Sequence, residues 1–178
     1  MRRIYLSIII KHFKEYEQML FLIGPRQVGK TTLAQLSRDF FKESEYFNWD
    51  NVKDRTLILR GQNFIDDILS INKLRNEKPL IIFDEIHKYK DWKNWLKGFF
   101  DTYKSYFHIL VTGSARLDIY QSGGDSLMGR YFLCRIHPIS VGEILHKDPN
   151  ENLIHSPKEI KNEDFNLFRV LFPAACGV

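Results

Sequence analysis

Met19-Leu20-Phe21-Leu22-Ile23-Gly24-Pro25-Arg26-Gln27-Val28-Gly29-Lys30-Thr31 is the stretch from which the fold of this chain can be read. Five consecutive apolar residues stop at a glycine, as a strand buried on both faces should, rather than alternating between core and water. The next eight residues, Gly24 to Thr31, match G-x-x-x-x-G-K-[ST] in full, and 29–41 then reads as a helix. Strand, glycine-bearing turn and helix, in that order, form the context that separates a phosphate-binding loop from an ordinary Gly-rich turn. Glycines let successive backbone N–H groups aim at phosphate oxygens, and the helix adds the positive end of its dipole. Gly24, Pro25, Arg26, Gln27, Val28, Gly29, Lys30, Thr31 and Thr32 are therefore the expected nucleotide contacts. Lys30 is expected to reach the β and γ phosphates, and Thr31 to place its hydroxyl on the Mg²⁺ that bridges them.

Outward from this loop, apolar stretches alternate with amphipathic ones, which predicts an α/β domain with a largely parallel sheet. Residues 4–18 read as a first helix, 46–49 as a short strand, 63–72 as an amphipathic helix and 80–83 as a second buried strand. Over 91–106 the period is helical: Trp92, Trp95, Leu96, Phe99 and Tyr103 share one face, with Lys93, Lys97 and Lys104 beside it. A third apolar strand, 107–111, precedes a short helix from Ala115, a loop at Gly123-Gly124 and a strand over 131–136. From His146 to Asn166 the chain is polar and lysine-rich without a core pattern.

The strand at 80–83 runs into Asp84 and Glu85, two adjacent carboxylates. In an open α/β sheet ligands collect at the carboxyl ends of strands, so this pair should face the phosphate loop. Asp84 suits Mg²⁺, directly or through water, and Glu85 suits orienting or deprotonating an attacking water; the alternative is a solvated strand end with two ordinary acids. The third strand ends Val111-Thr112-Gly113-Ser114, putting two hydroxyls at the same edge. Ser114 is the chosen sensor of the attacking water or γ phosphate, although a helix-capping serine would look the same. Arg130, just before the strand at 131, can neutralise transition-state charge in its own site or a neighbour's; Arg116 competes for that role, and either can be a plain surface arginine.

Composition sets the limits around these motifs. The chain has 178 residues and 21.2 kDa, enough for one domain of ordinary size. With 44% hydrophobic and 27% charged residues it has the apolar material to fold, which excludes a disordered or collagen-like chain. Lys plus Arg outnumber Asp plus Glu by 26 to 22, a formal +4 that suits anionic ligands without proving one. Cys134 and Cys176 are too few for a cysteine-based zinc site or a disulfide scaffold, and a reducing cytoplasm is the default location. The apolar run 4–10 is short, lacks a cleavage site and is followed by Lys11, and no stretch approaches membrane-spanning length.

Together these strings resemble the AAA+-type P-loop ATPases, and more narrowly the N-terminal AAA domain of a bacterial and archaeal family of predicted ATP-binding proteins. The resemblance rests on Gly24 to Leu33 (a Walker A motif), Ile82-Phe83-Asp84-Glu85-Ile86-His87 (a Walker B motif) and Val111-Thr112-Gly113-Ser114. Leu127-Met128-Gly129-Arg130-Tyr131 and His137-Pro138-Ile139-Ser140-Val141-Gly142-Glu143 add to it. It implies a P-loop NTPase three-layer sandwich, with a mostly parallel five-stranded sheet in 5-1-4-3-2 order between helices. It implies ATP and Mg²⁺ as ligands, Asp84 and Glu85 as the metal and water-activating acids, Ser114 as the polar sensor, and Arg130 as a finger-like arginine that can act through self-association. Residues 1–145 are the expected ATP-binding domain and 146–178 a linker or the start of a missing region. Family members continue well beyond this length, so a truncated product or fragment is expected, and no helical lid with a second sensor arginine is identifiable.

The reading that follows is a cytoplasmic ATPase that drives a conformational change or an unknown protein partner, without a membrane. Three others compete. A module that binds nucleotide without turnover fits the missing lid. A nucleic-acid-associated ATPase fits the Asp84-Glu85-Ile86-His87 string and the basic charge, but 178 residues supply only one of the two RecA-like domains that helicases use, and an aromatic stripe such as that of 91–106 more often packs a core than stacks bases. A small-molecule kinase has no need of a water-activating Glu85.

Overall fold

A computed structural model of the protein describes residues 4–61, 64–65, 77–114, 127–139 and 143. In chain order these carry α1 (Ile4–Glu15), β1 (Met19–Gly24), α2 (Lys30–Ser37), a 3-10 turn (Arg38–Phe40), β2 (Ser44–Asn48), α3 (Val52–Leu59), β3 (Leu80–Asp84), a second 3-10 turn (Ile86–Lys88), α4 (Trp92–Tyr103), β4 (His108–Ser114) and β5 (Tyr131–Arg135). The strands form one sheet in the order β2-β3-β4-β1-β5, the expected 5-1-4-3-2 order read from the other edge, and every neighbouring pair is parallel.

The apolar runs explain the layering. Side chains alternate across a strand, so an all-apolar strand must be covered twice. Met19, Phe21 and Ile23 of β1, Ile81 and Phe83 of β3, and Ile109 and Val111 of β4 enter one core, against the aromatic face of α4. Leu20 and Leu22, Leu80 and Ile82, and Leu110 enter the other, against Leu6, Ile9 and Phe13 of α1 and Leu33 and Ala34 of α2. The predicted stripe Trp92, Trp95, Leu96, Phe99 and Tyr103 is buried throughout. Phe99 lies edge-on to Phe83 and stacked on Trp95, with centroids 5.1 Å apart in each pair. That stripe packs the core and is not presented for stacking bases, while Lys93 and Lys104 lie over the Trp92 and Phe100 rings at 5.8 and 5.9 Å.

Boundaries shift where the apolar signal is weak. The edge strand β2 runs Ser44–Asn48 rather than 46–49, because pairing with β3 begins at Ser44↔Leu80, before its apolar residues. The helix α2 ends at Ser37, giving way to the 3-10 turn inside the expected 29–41. A helix absent from the sequence reading, α3, starts where the Asn51 side chain accepts from the amides of Lys53 and Asp54. Of the predicted 63–72 helix only Phe64 and Ile65 are described, both helical and buried. The helix from Ala115, the loop at Gly123-Gly124 and everything from 146 onward lie outside the described residues. No helix among the described residues is long and apolar enough to cross a membrane.

At the amino edge of the sheet His108 packs against Phe13 and Phe41, 5.0 and 5.7 Å between centroids. Burial, then the neighbouring charges of Lys78 and His12, pushes its imidazole down to about 4, against an opposing pull from Glu17. An imidazole whose folded pKa is depressed favours the neutral form, so its share of stability is present above the ordinary value of 6.5 and is lost as pH falls towards about 4. The urea midpoint is expected to drop between pH 7 and pH 5, and to drop less in His108→Phe; an equal drop in both proteins would show that His108 is not the source.

Candidate functional site

Parallel pairing brings the functional residues to one edge because every strand ends there. Gly24 lies opposite Ser114, and Asp84 opposite both Asn48 and Thr112. Between Gly24 and Lys30 the backbone takes the left-handed region twice, at Gln27 (φ 63°) and Gly29 (φ 90°). Gly29 precedes α2 without a capping side chain, so the helix starts with first-turn amides that no side chain satisfies locally. A cavity of about 290 Å³ opens beside this turn, lined by Arg26, Gln27, Gly29, Lys30, Thr31, Thr32 and Glu85.

Inside it Lys30 is 8% exposed, and its ammonium donates to the carbonyls of Gly24 at 2.9 Å and Pro25 at 2.6 Å. Burial lowers its pKa, opposed by the charges of Glu85 and Asp84. Asp84, 2% exposed, collects three hydroxyls: Thr31 Oγ1 donates to Oδ2 at 2.9 Å, Tyr46 Oη to Oδ2 at 2.5 Å, and Thr112 Oγ1 to Oδ1. Burial, then the bond to Asp84, pushes the Tyr46 phenol well above its usual range, which keeps it a neutral donor. The carboxylate is thus buried and hydrogen-bonded, as a buried charge has to be.

Glu85 follows in the left-handed region (φ 58°), a conformation that costs a non-glycine residue about 1–2 kcal/mol. The turn swings its side chain away from the strand line to the cavity. One carboxylate oxygen, Oε2, lies 3.3 Å from Lys88 Nζ and 3.7 Å from His87 Nε2, and Lys88 also holds Asp50 at 2.6 Å. The bond to Asp50, with that to Glu85, raises the Lys88 pKa, whereas burial lowers that of His87, whose Nδ1 is buried without a hydrogen-bond partner among the described residues.

Arg26, Gln27, Gly29, Lys30, Thr31, Thr32 and Glu85 therefore meet at one cavity, with Asp84 bonded to Thr31; of the other predicted loop contacts Val28 packs into the core and Gly24 and Pro25 accept from Lys30, while Ser114 stands next to Gly24 on the adjoining strand. Arg130 is not brought there. It precedes β5, whose first residue pairs with Met19, the first of β1, and its carbonyl accepts from the Met19 amide at 2.9 Å. Five strand steps, roughly 17 Å, separate Met19 from Gly24. The Arg130 guanidinium instead forks onto Asp101 of α4 at 2.8 and 3.0 Å, which lowers the pKa of that acid. Arg116 lies outside the described residues. Sequence reading missed Tyr46 and passed over Thr112 in favour of Ser114. For Thr112 the signal was its register: two residues before Ser114, it falls level with Asp84.

A protein-family model described as an AAA domain matches residues 16–145. The chain is 31% identical over 126 residues to an uncharacterized protein of Methanocaldococcus jannaschii, covering 70% of this chain and 27% of that protein. It is 28% identical over 160 residues to an uncharacterized protein of Haemophilus influenzae, covering 82% of this chain and 37% of that protein. The chain thus spans well under half the length of the curated relatives it matches. Among solved structures, PCH-2 of C. elegans aligns over 76% of this chain and 40% of that chain, at 17% identity and a TM-score of 0.48.

Proposed function

We propose, from the premise that this chain belongs to the AAA domain family, that it binds Mg-ATP and hydrolyses it by in-line attack of water to drive a conformational or partner switch. The observation that carries the reading is the convergence of the phosphate-loop cavity, the Thr31–Asp84 bond and Glu85 at one sheet edge. Loop amides and Lys30 bind the phosphates; the left-handed turns and the uncapped start of α2 support that role. The donor set also fits Mg²⁺, a hard cation usually held by one or two carboxylates, hydroxyls and substrate phosphates rather than by an all-protein cage. Thr31 and Asp84 would hold it, and among the described residues no cluster of three or more His, Cys, Asp or Glu forms such a cage. When bound, the ion neutralises charge on the transferred phosphate.

The chain's own residues do the rest. Glu85 lines the cavity with a carboxylate that can accept a proton or a hydrogen bond from water, and Ser114 stands one strand away as a second water-orienting group. Arg130, at the opposite edge of the sheet, would act on a neighbouring copy, which would have to compete with Asp101 for it.

A second reading, nucleotide binding without turnover, draws on the hold that Lys88 has on Glu85. One experiment separates the two: phosphate release from Mg-ATP by the wild type and Glu85→Gln, with nucleotide affinity measured on the same samples. Turnover falling about 100-fold or more in Glu85→Gln at unchanged affinity is the expected result. Equal turnover in both proteins removes Glu85 from the mechanism, and binding with no turnover in either leaves the second reading.

A further inference from the structure

Arg26 stands apart from the other loop residues. It lines the same cavity as Lys30 and Glu85, is exposed, and makes no hydrogen bond or ion pair among the described residues. Other arginines near functional segments are engaged: Arg38 donates to Ser44 and Gln35, and Arg130 to Asp101. A guanidinium with five donors and no partner among the described residues, on the wall of an anion cradle, is suited to a second, bidentate hold on a phosphate.

The charges point the same way. Among the described residues Lys30 is the one other cation lining the cavity, and it is set against Glu85 on the wall and Asp84, which is bonded to Thr31. Lys88, 3.3 Å from Glu85, is shared with Asp50, so with both of these counted the groups without Arg26 still sum to one negative charge, an unfavourable balance for a polyanion. Mg²⁺ held by Thr31 and Asp84 would offset part of this, whereas charge also develops where the transferred phosphate meets water, the role proposed for Glu85.

Resting on the reading of this cavity as an ATP site, we propose that Arg26 is a built-in arginine for the terminal phosphate, acting within its own chain. The domain then does not depend on an arginine lent by a neighbour to complete its charge. The side chain recognises a terminal, doubly charged phosphoryl group, so it favours nucleoside triphosphate over diphosphate as well as assisting transfer.

The test titrates wild type, Arg26→Ala and Arg26→Lys with Mg-ATP and Mg-ADP, and follows phosphate release per chain across a hundredfold dilution. Arg26→Ala is expected to lower affinity for Mg-ATP by about tenfold or more while affinity for Mg-ADP changes little, with Arg26→Lys between. Release per chain by the wild type is expected to stay constant on dilution and to fall about 100-fold or more in Arg26→Ala. Equal weakening of both nucleotides, no weakening of either, or a wild-type rate that falls with dilution would overturn the proposal. A wild type that binds Mg-ATP but releases no phosphate defeats the hydrolytic reading alone, and the triphosphate preference still decides the role of Arg26.

Discussion

Gly24→Ala is expected to destabilise the domain by about 3 kcal/mol, near the upper end of what overpacking costs. A Cβ built at Gly24 falls 2.3 Å from the carbonyl oxygen of Ile136 and 3.3 Å from a Val28 methyl. The first contact is with backbone, so no rotamer relieves it. The chain leaving β5 is tied there by the Ile136 amide, which donates to the Ile23 carbonyl at 2.6 Å. Making room would separate that exit from β1 at the point where the phosphate loop begins. Gly61 supplies the contrast: its φ of +104° strains any other residue, yet a Cβ there has nothing within 4 Å. Gly61→Ala is expected to cost about 1 kcal/mol. Urea unfolding of the two variants measures the difference, and similar midpoints would show that β5 is free to move away from the loop.

Lys30→Ala is expected to weaken Mg-ATP binding about 100-fold, or about 2.7 kcal/mol, and to leave the unliganded domain folded. The affinity loss follows from removing a largely buried ammonium from the cavity wall, where water screens its charge only in part. The fold survives because the two bonds given up are to the Gly24 and Pro25 carbonyls, and the cavity that Lys30 lines has room for water in place of the ammonium. Titration by calorimetry and thermal unfolding without nucleotide separate the two effects. An affinity within threefold of the wild type would mean that the amides alone hold the phosphates.

What could be read in the sequence was whatever is local in the chain. Gly24 to Thr31 and Asp84-Glu85 are contiguous strings, and β1, β3 and β4 are apolar runs whose burial on both faces is their own signature. The helix α4 declared itself by its aromatic period. Residues whose meaning depends on register were harder. Tyr46 reaches Asp84 from the neighbouring strand, and no feature of Ser44–Asn48 announces it. The helix α3 has only Ile58 buried, so it lacks an apolar stripe and shows itself through its Asn51 cap alone. For Arg130 the option of acting in its own site fails for a directional reason. A residue at the start of a parallel strand lies at the edge opposite the one where such strands end, so its separation from the loop was implicit in the parallel sheet itself.

The carboxylate of Asp84 stands on a tripod whose feet are a helix and two strands: Thr31 on α2, Tyr46 on β2 and Thr112 on β4. Its heading is therefore set by triangulation rather than by any single bond. Removing one foot leaves two that still define the direction, so a survey that trims one hydroxyl at a time will understate how firmly the acid is aimed. The same geometry makes Asp84 a surveyor's mark for the whole edge. While all three feet reach it, the phosphate turn, the outer strand and the strand bearing Ser114 share one frame of reference, and a displacement of any of them is felt first at that one side chain.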